Sequence, residues 1–253
     1  GRMKVKEVAL KRSKKKFPKP KNDSQELRNT LNELNENLKS GKGTEKYRKL
    51  GTWGGNFGFL NSNDAIPIEN FSRFSDERVN EIDLQTVIEK GWEVISRGCA
   101  CPVVCWKIVK TPDGKELWKI DYENIDLLGI NCGIFDLPTI AKAIEMCDEY
   151  GLDAMSTGGT IAWFFEYNKR NDKKPTFGDG VSLLTLIKKI AERKEEGSIL
   201  ADGSYKAALH YGEGLEYAMQ CKGVEAAGYP MWSNPGYAFA QRGACHQSCA
   251  TYN

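Results

Sequence analysis

Nowhere in its 253 residues does this sequence hold an uninterrupted apolar run approaching the roughly 20 positions a helix needs to cross a bilayer. The most apolar short stretch, Ile161-Ala162-Trp163-Phe164-Phe165, suits a buried turn or two of helix. The basic residues at the start are followed by no apolar segment of the kind a secretory signal carries, so none is expected within the sequence. An excess of one charge is missing too. The 36 Lys and Arg against 34 Asp and Glu leave a formal net charge of +2, which argues against nucleic acid or a membrane surface as an obligatory partner. The glycine-rich stretch from Gly51 to Gly58 lacks the Lys-Ser/Thr pair of a phosphate-binding loop. A cytoplasmic protein is the expectation, and in that reducing setting the eight cysteines read as thiols or metal ligands before disulfides.

What is present suffices for a core, since 40% of the residues are hydrophobic. Both ends look unfinished, with Met3 only third and no evident closing element at Ala250-Thr251-Tyr252-Asn253; a fragment or one part of a split protein is expected. Residues 4–10 alternate loosely and fit one strand, and 11–21 form a basic connector read as a solvated linker, with only Phe17 available for stacking on bases. Asp23 and Glu26 suit a capping box, after which Leu27, Leu31, Leu34 and Leu38 mark an amphipathic helix ending near Gly41.

The stretch 51–58 is too rich in glycine for regular structure and is expected as a loop. A helix is expected over 83–95, carrying Val87, Ile88, Trp92 and Ile95 on one side. Residues 106–110 and 117–120 flank Pro112-Asp113-Gly114, a hairpin signal. Asp136 can cap a helix with Pro138 in its first turn, a stripe of Ile140, Ala143, Ile144 and Cys147, and Gly151 as its stop. Three further helical patterns cover 157–169, 180–193 and 202–221, with glycine-rich breaks at Gly158-Gly159, 223–228 and Gly236. The expected fold is mainly α, a multihelical domain with short strand and hairpin content near the N-terminus and around 106–120.

Chemistry concentrates between Cys99 and Asp153. Cys99, Cys101 and Cys105 put three thiols within seven residues, too dense to pair off as disulfides and suited to a shared metal centre. One iron–sulfur cluster, usually held by four cysteines with one from far away, fits this spacing; structural zinc, a redox thiol pair and coincidence stay open. Taken singly, Glu123 reads as a surface carboxylate, Asp148 as solvated, and Asp153 as a cap for the next helix. His246 sits in the small-residue context Arg242-Gly243-Ala244-Cys245, and His210, the other histidine, looks like ordinary surface or core.

The order of these segments resembles a known family. Cys101-Pro102-x-x-Cys105, Tyr122-Glu123, Leu128-Gly129-x-Asn131-Cys132-Gly133-Ile134-x-Asp136 and Cys147-Asp148-Glu149-Tyr150-Gly151-Leu152-Asp153-Ala154-x-Ser156-Thr157-Gly158-x-Thr160-Ile161-Ala162 are similar to the aldehyde:ferredoxin oxidoreductase family of tungsten–pterin enzymes. So are Gly51-Thr52, Ile66-Pro67-Ile68-Glu69-Asn70-Phe71, Lys222-Gly223-Val224-Glu225 and Arg242-Gly243-Ala244-Cys245-His246, which extend the resemblance over nearly the whole chain.

The resemblance implies a tungsten or molybdenum bis-pterin cofactor beside a [4Fe–4S] cluster, oxidation of aldehydes to carboxylic acids, and ferredoxin or another electron-transfer protein as acceptor. By position, Cys101 and Cys105 match cluster ligands and Cys99 approximates a third. Asp148, Gly151, Leu152 and Asp153 match a pterin-binding motif. Glu123 matches the acidic residue near the metal, and His246 the histidine facing the substrate carbonyl. Residues 1–22 would be the end of a missing N-terminal cofactor domain plus the linker, and 23–253 a helical cofactor-facing domain continuing into a missing C-terminal part. A homodimer is a further expectation. The family spacing would put a cysteine at Gly98 rather than at 99, and Pro230-Met231-Trp232 stands where many members carry Pro-Arg. A degenerate, non-catalytic partner-binding module of the same fold and a structural zinc protein are the alternative readings.

Overall fold

The computed structural model describes residues 24–95, 101–229 and 234–246. The strand expected at 4–10, the linker at 11–21, Cys99 and the Pro230-Met231-Trp232 segment lie outside the described residues. The rest is mainly helical, as the periodicities indicate. Ser24, rather than Asp23, caps α1 (Gln25–Ser40), its hydroxyl accepting from the Leu27 amide at 3.2 Å. The leucine stripe forms but is not buried: Leu27, Leu31 and Leu34 are exposed.

The glycine-rich stretch is no loop. It belongs to α2 (Lys42–Ser62), which is bent at Gly51 and buries Trp53, Phe57 and Leu60. Two of its glycines serve close approach: a Cβ on Gly54 would lie 2.5 Å from Leu84, and one on Gly51, at φ 68°, 2.8 Å from the Cys105 carbonyl oxygen. The Trp53 indole donates to the Ile82 carbonyl at 3.0 Å, tying α2 to the 3-10 turn Glu77–Ile82.

The helix expected over 83–95 is shorter. Asp83 caps α3 (Leu84–Glu89), Gly91 at φ 89° turns the chain, and Glu93–Ile95 becomes β1. The hairpin forms as read, with β2 (Lys107–Lys110) and β3 (Leu117–Ile120) antiparallel and Val109 opposite Trp118, while β1 adds to the free edge of β2.

Asp121 caps α4 (Tyr122–Leu128) and Asp136 caps α5 (Leu137–Tyr150), which Gly151 ends in the left-handed conformation. Asp153 then caps α6 (Ala154–Arg170), buried from Thr157 to Asn168 and crossing α4. Gly158-Gly159 is therefore not a break: a Cβ on Gly158 would stand 2.3 Å from the Leu127 carbonyl oxygen, so the glycine lets the two helices touch. Downstream lie α7 (Gly180–Glu192), α8 (Glu196–Leu200) and α9 (Ser204–Tyr211). The helix expected over 202–221 stops at Gly212; the following backbone turns so that the Gly214 carbonyl accepts from the Trp163 indole at 2.7 Å. A two-stranded ribbon, β4 (Gln220–Cys221) with β5 (Val224–Glu225), precedes α10 (Asn234–Phe239). One contiguous buried cluster runs from Trp53 to Tyr229. No single helix among the described residues is long and apolar enough to cross a membrane.

Candidate active site

The segment Asp148 to Asp153 is the elbow between α5 and α6. Gly151 at φ 65° lets its own amide and that of Leu152 fold back on the α5 carbonyls, with Leu152 donating to Cys147 at 2.9 Å. Asp153 then turns one carboxylate oxygen to the Ser156 amide at 2.8 Å, which opens α6. Asp148, on the last turn of α5, is exposed and keeps a loose ion pair with Lys119 at 3.8 Å.

Facing this elbow is the first turn of α4, which carries Asp121 and Glu123. Thr52, just past the bend in α2, joins that turn to the thiol loop: its amide donates to the Cys105 carbonyl at 2.7 Å, and its hydroxyl accepts from the Tyr122 amide at 3.2 Å. Three remote segments meet at one residue.

The result is a cleft of about 390 Å³, and its wall contains Cys105, Glu123, Asp148, Leu152, Asp153 and His246. Six of the nine residues singled out by sequence thus share one cavity. Gly151 shapes the elbow without lining the cleft, Cys101 is exposed nearby on the thiol loop, and Cys99 is outside the described residues. Among the described residues no three His, Cys, Asp or Glu side chains gather to hold a metal ion; Cys101 and Cys105 are free thiols. A larger cleft, about 600 Å³, lies at the starts of α5 and α7 and contains none of the nine. Its cations are already matched, Arg78 by Asp76 at 2.6 Å and Lys90 by Glu81.

Burial sets the electrostatics of the smaller cleft. Burial, assisted by the neighbouring Glu123 charge, pushes Asp121 up to about 6. Burial also draws His246 below the usual imidazole range, against a smaller opposing pull from Asp153, so the ring stays neutral near neutral pH. Behind Glu123, one turn along α4, Asp126 is completely buried and among the described residues has no donor for either oxygen; desolvation followed by the Glu123 charge lifts it far above the carboxylate range.

Sequence reasoning missed Tyr229. Its hydroxyl donates to Glu123 Oε1 and accepts from the Asn56 amide at 3.3 Å, while its ring centroid lies 5.7 Å from that of His246. One buried phenol thus touches both candidate catalytic side chains. It reaches them because Gly228 has no side chain: a Cβ there would fall 1.7 Å from Asp126 Oδ2. The available signal was only its place between the matched segment ending at Glu225 and Pro230, where the chain departs from the family pattern.

Comparison with known proteins adds an independent line. The model of the family described as "Aldehyde ferredoxin oxidoreductase, domains 2 & 3" matches residues 29–253. A tungsten-containing aldehyde ferredoxin oxidoreductase of Pyrococcus furiosus is 34% identical over 234 residues, which cover 87% of this chain and 38% of that protein. Its counterpart in Thermococcus kodakarensis is 34% identical over 264 residues, covering 97% and 42%. The aliphatic sulfonate oxidoreductase, WOR-like subunit, of Pyrococcus furiosus is 28% identical over 230 residues, covering 81% and 36%. The chain spans about two fifths of the length of the curated relatives it matches.

Proposed function

Because this chain belongs to the aldehyde ferredoxin oxidoreductase family, we propose that it forms the cofactor-facing part of a tungsten (or molybdenum) bis-pterin, [4Fe–4S] enzyme that oxidises aldehydes to carboxylic acids and passes electrons to ferredoxin. The observation that carries this reading is the meeting of Cys105, Glu123, Asp148, Asp153 and His246 in one cleft.

The donor set fits such a group. Two free thiols four residues apart suit iron, with Cys99 as a third ligand and a fourth supplied from elsewhere. The exposed carboxylates of Asp148 and Asp153, at a helix elbow, suit the amino and ring N–H groups of a pterin. A metal–pterin group held there would supply the two-electron redox chemistry, and a cluster on the thiol loop would supply one-electron transfer.

The chain's own residues handle position and protons. Aldehyde and water give carboxylate, three protons and two electrons. Glu123 is the base that accepts the proton of the attacking water, and the Tyr229 hydroxyl fixes its orientation. His246, kept neutral by burial, donates its N–H to the carbonyl oxygen as charge builds there.

Metal analysis tests the reading. Protein purified together with the remaining part of the enzyme should contain tungsten or molybdenum and iron in fixed ratio to the chain. None of the three above background would overturn the proposal in favour of a non-catalytic module of the same fold, and zinc in their place would do the same.

A further inference from the structure

Lys107 on β2 is completely buried, an unusual place for an ammonium. Its Nζ donates to three main-chain carbonyls: Arg48 at 2.8 Å, Val104 at 3.1 Å and Tyr47 at 3.4 Å. Carbonyl oxygens only accept, so three of them require the three donors of the charged form. Among the described residues no carboxylate forms an ion pair with it.

Two of those carbonyls belong to α2 just before its bend; the third belongs to the thiol loop. Val104 is held at φ 50°, a conformation that β-branched residues avoid. The bend closes over the same spot, with the Gly51 Cα so near that a Cβ would lie 3.0 Å from Lys107 Cγ and 2.8 Å from the Cys105 carbonyl oxygen. Lysine, bend and strained loop therefore form one unit, in which the ammonium pulls the loop backbone against α2 while Cys105 lines the cleft.

We propose that Lys107 is the positioning residue of the thiol loop: its ammonium clamps Val104 so that Cys101 and Cys105 are presented as ligands, and it supplies a fixed positive charge behind them. This rests on the iron–sulfur reading of those cysteines. Thiolates and a thiolate-held cluster carry net negative charge, the complement of a buried cation that lacks a carboxylate.

The test compares Lys107→Met and Lys107→Arg in the full enzyme, with thermal melting as the check on folding. Lys107→Met is expected to lower iron affinity about tenfold or more, the usual loss for a group that orients metal ligands. It should also shift the potential of any retained cluster to more negative values and slow alkylation of the already exposed Cys105 in iron-free protein several-fold, because the sulfur loses the positive charge behind it. Lys107→Arg should restore part of each. Wild-type iron content, potential and alkylation rate in a folded Lys107→Met protein would overturn the proposal while leaving the cluster reading intact. If the wild type binds no iron, the cluster reading falls, and an unchanged alkylation rate in iron-free Lys107→Met overturns the clamp as well. Should Lys107→Met fail to fold, Gly51→Ala, which presses on the Cys105 carbonyl of the same loop without removing the charge, must show the iron loss; a change in stability alone overturns the proposal.

Discussion

Asp126 carries an unmet electrostatic cost, with a completely buried carboxyl and, among the described residues, no donor for either oxygen. Its folded pKa lies far above the unfolded value near 3.9, so below about pH 4 both states hold the proton and the cost vanishes. Above that, the unfolded chain releases the proton while the folded one keeps it, and stability falls by at most about 1.4 kcal/mol per pH unit until the folded group ionises. Asp126→Asn should therefore melt higher than wild type at pH 8, with the gap closing near pH 4 in melts followed across that range. His246 has the opposite sign: its pKa is lowered, so it costs stability as pH falls below about 6.5. In the intact enzyme, Glu123→Gln should lower kcat by roughly 10²- to 10⁴-fold with metal content unchanged. Tyr229→Phe should lower it less, again with metal content unchanged. Glu123, Asp148 and His246 were legible because their neighbours in sequence form ordered motifs. Tyr229, Lys107 and Asp126 were not, because a tyrosine, a lysine and an aspartate become exceptional only through burial against segments 59 to 173 residues away, a tertiary fact without a local signature.

Helix α5 shows how much of an element can be read locally: the Asp136 cap, Pro138, the apolar stripe and the Gly151 stop each act within a turn of one another. Helix α2 shows the limit. Glycine lowers intrinsic helix propensity by about 1 kcal/mol per residue, so the stretch from Gly51 to Gly58 reads as a loop; burial of Trp53, Phe57 and Leu60 overrides that. The same reversal occurs in α6, where glycine is a point of contact. Gly158→Ala should destabilise the protein by about 1–3 kcal/mol, since its methyl would meet the Leu127 carbonyl in a packed crossing. Gly151→Ala meets no neighbour within 4 Å and should cost only about 1 kcal/mol, through its positive φ alone. Denaturant midpoints of the two variants measure that difference. Gly158→Ala should also depress turnover, because α4 carries Glu123.

The cleft is a wall before it is a pocket. Its acidic residues and thiol come from the α4 start, the α5–α6 elbow and the loop before β2. A bis-pterin group has two halves to hold, whereas the proposed motif, Asp148 to Asp153, supplies one set of acceptors. Relatives more than twice the length of this chain have ample sequence for the other face. The expected division is that the chain expressed alone retains iron at the Cys101–Cys105 loop below full cluster content and holds no tungsten. Co-expressed with the remaining part, it should hold both and reduce ferredoxin with an aldehyde as donor. Elemental analysis of the two preparations side by side checks this. Stoichiometric tungsten on the isolated chain would mean that one wall suffices to bind the group, and the need for a second set of acceptors would fall with it.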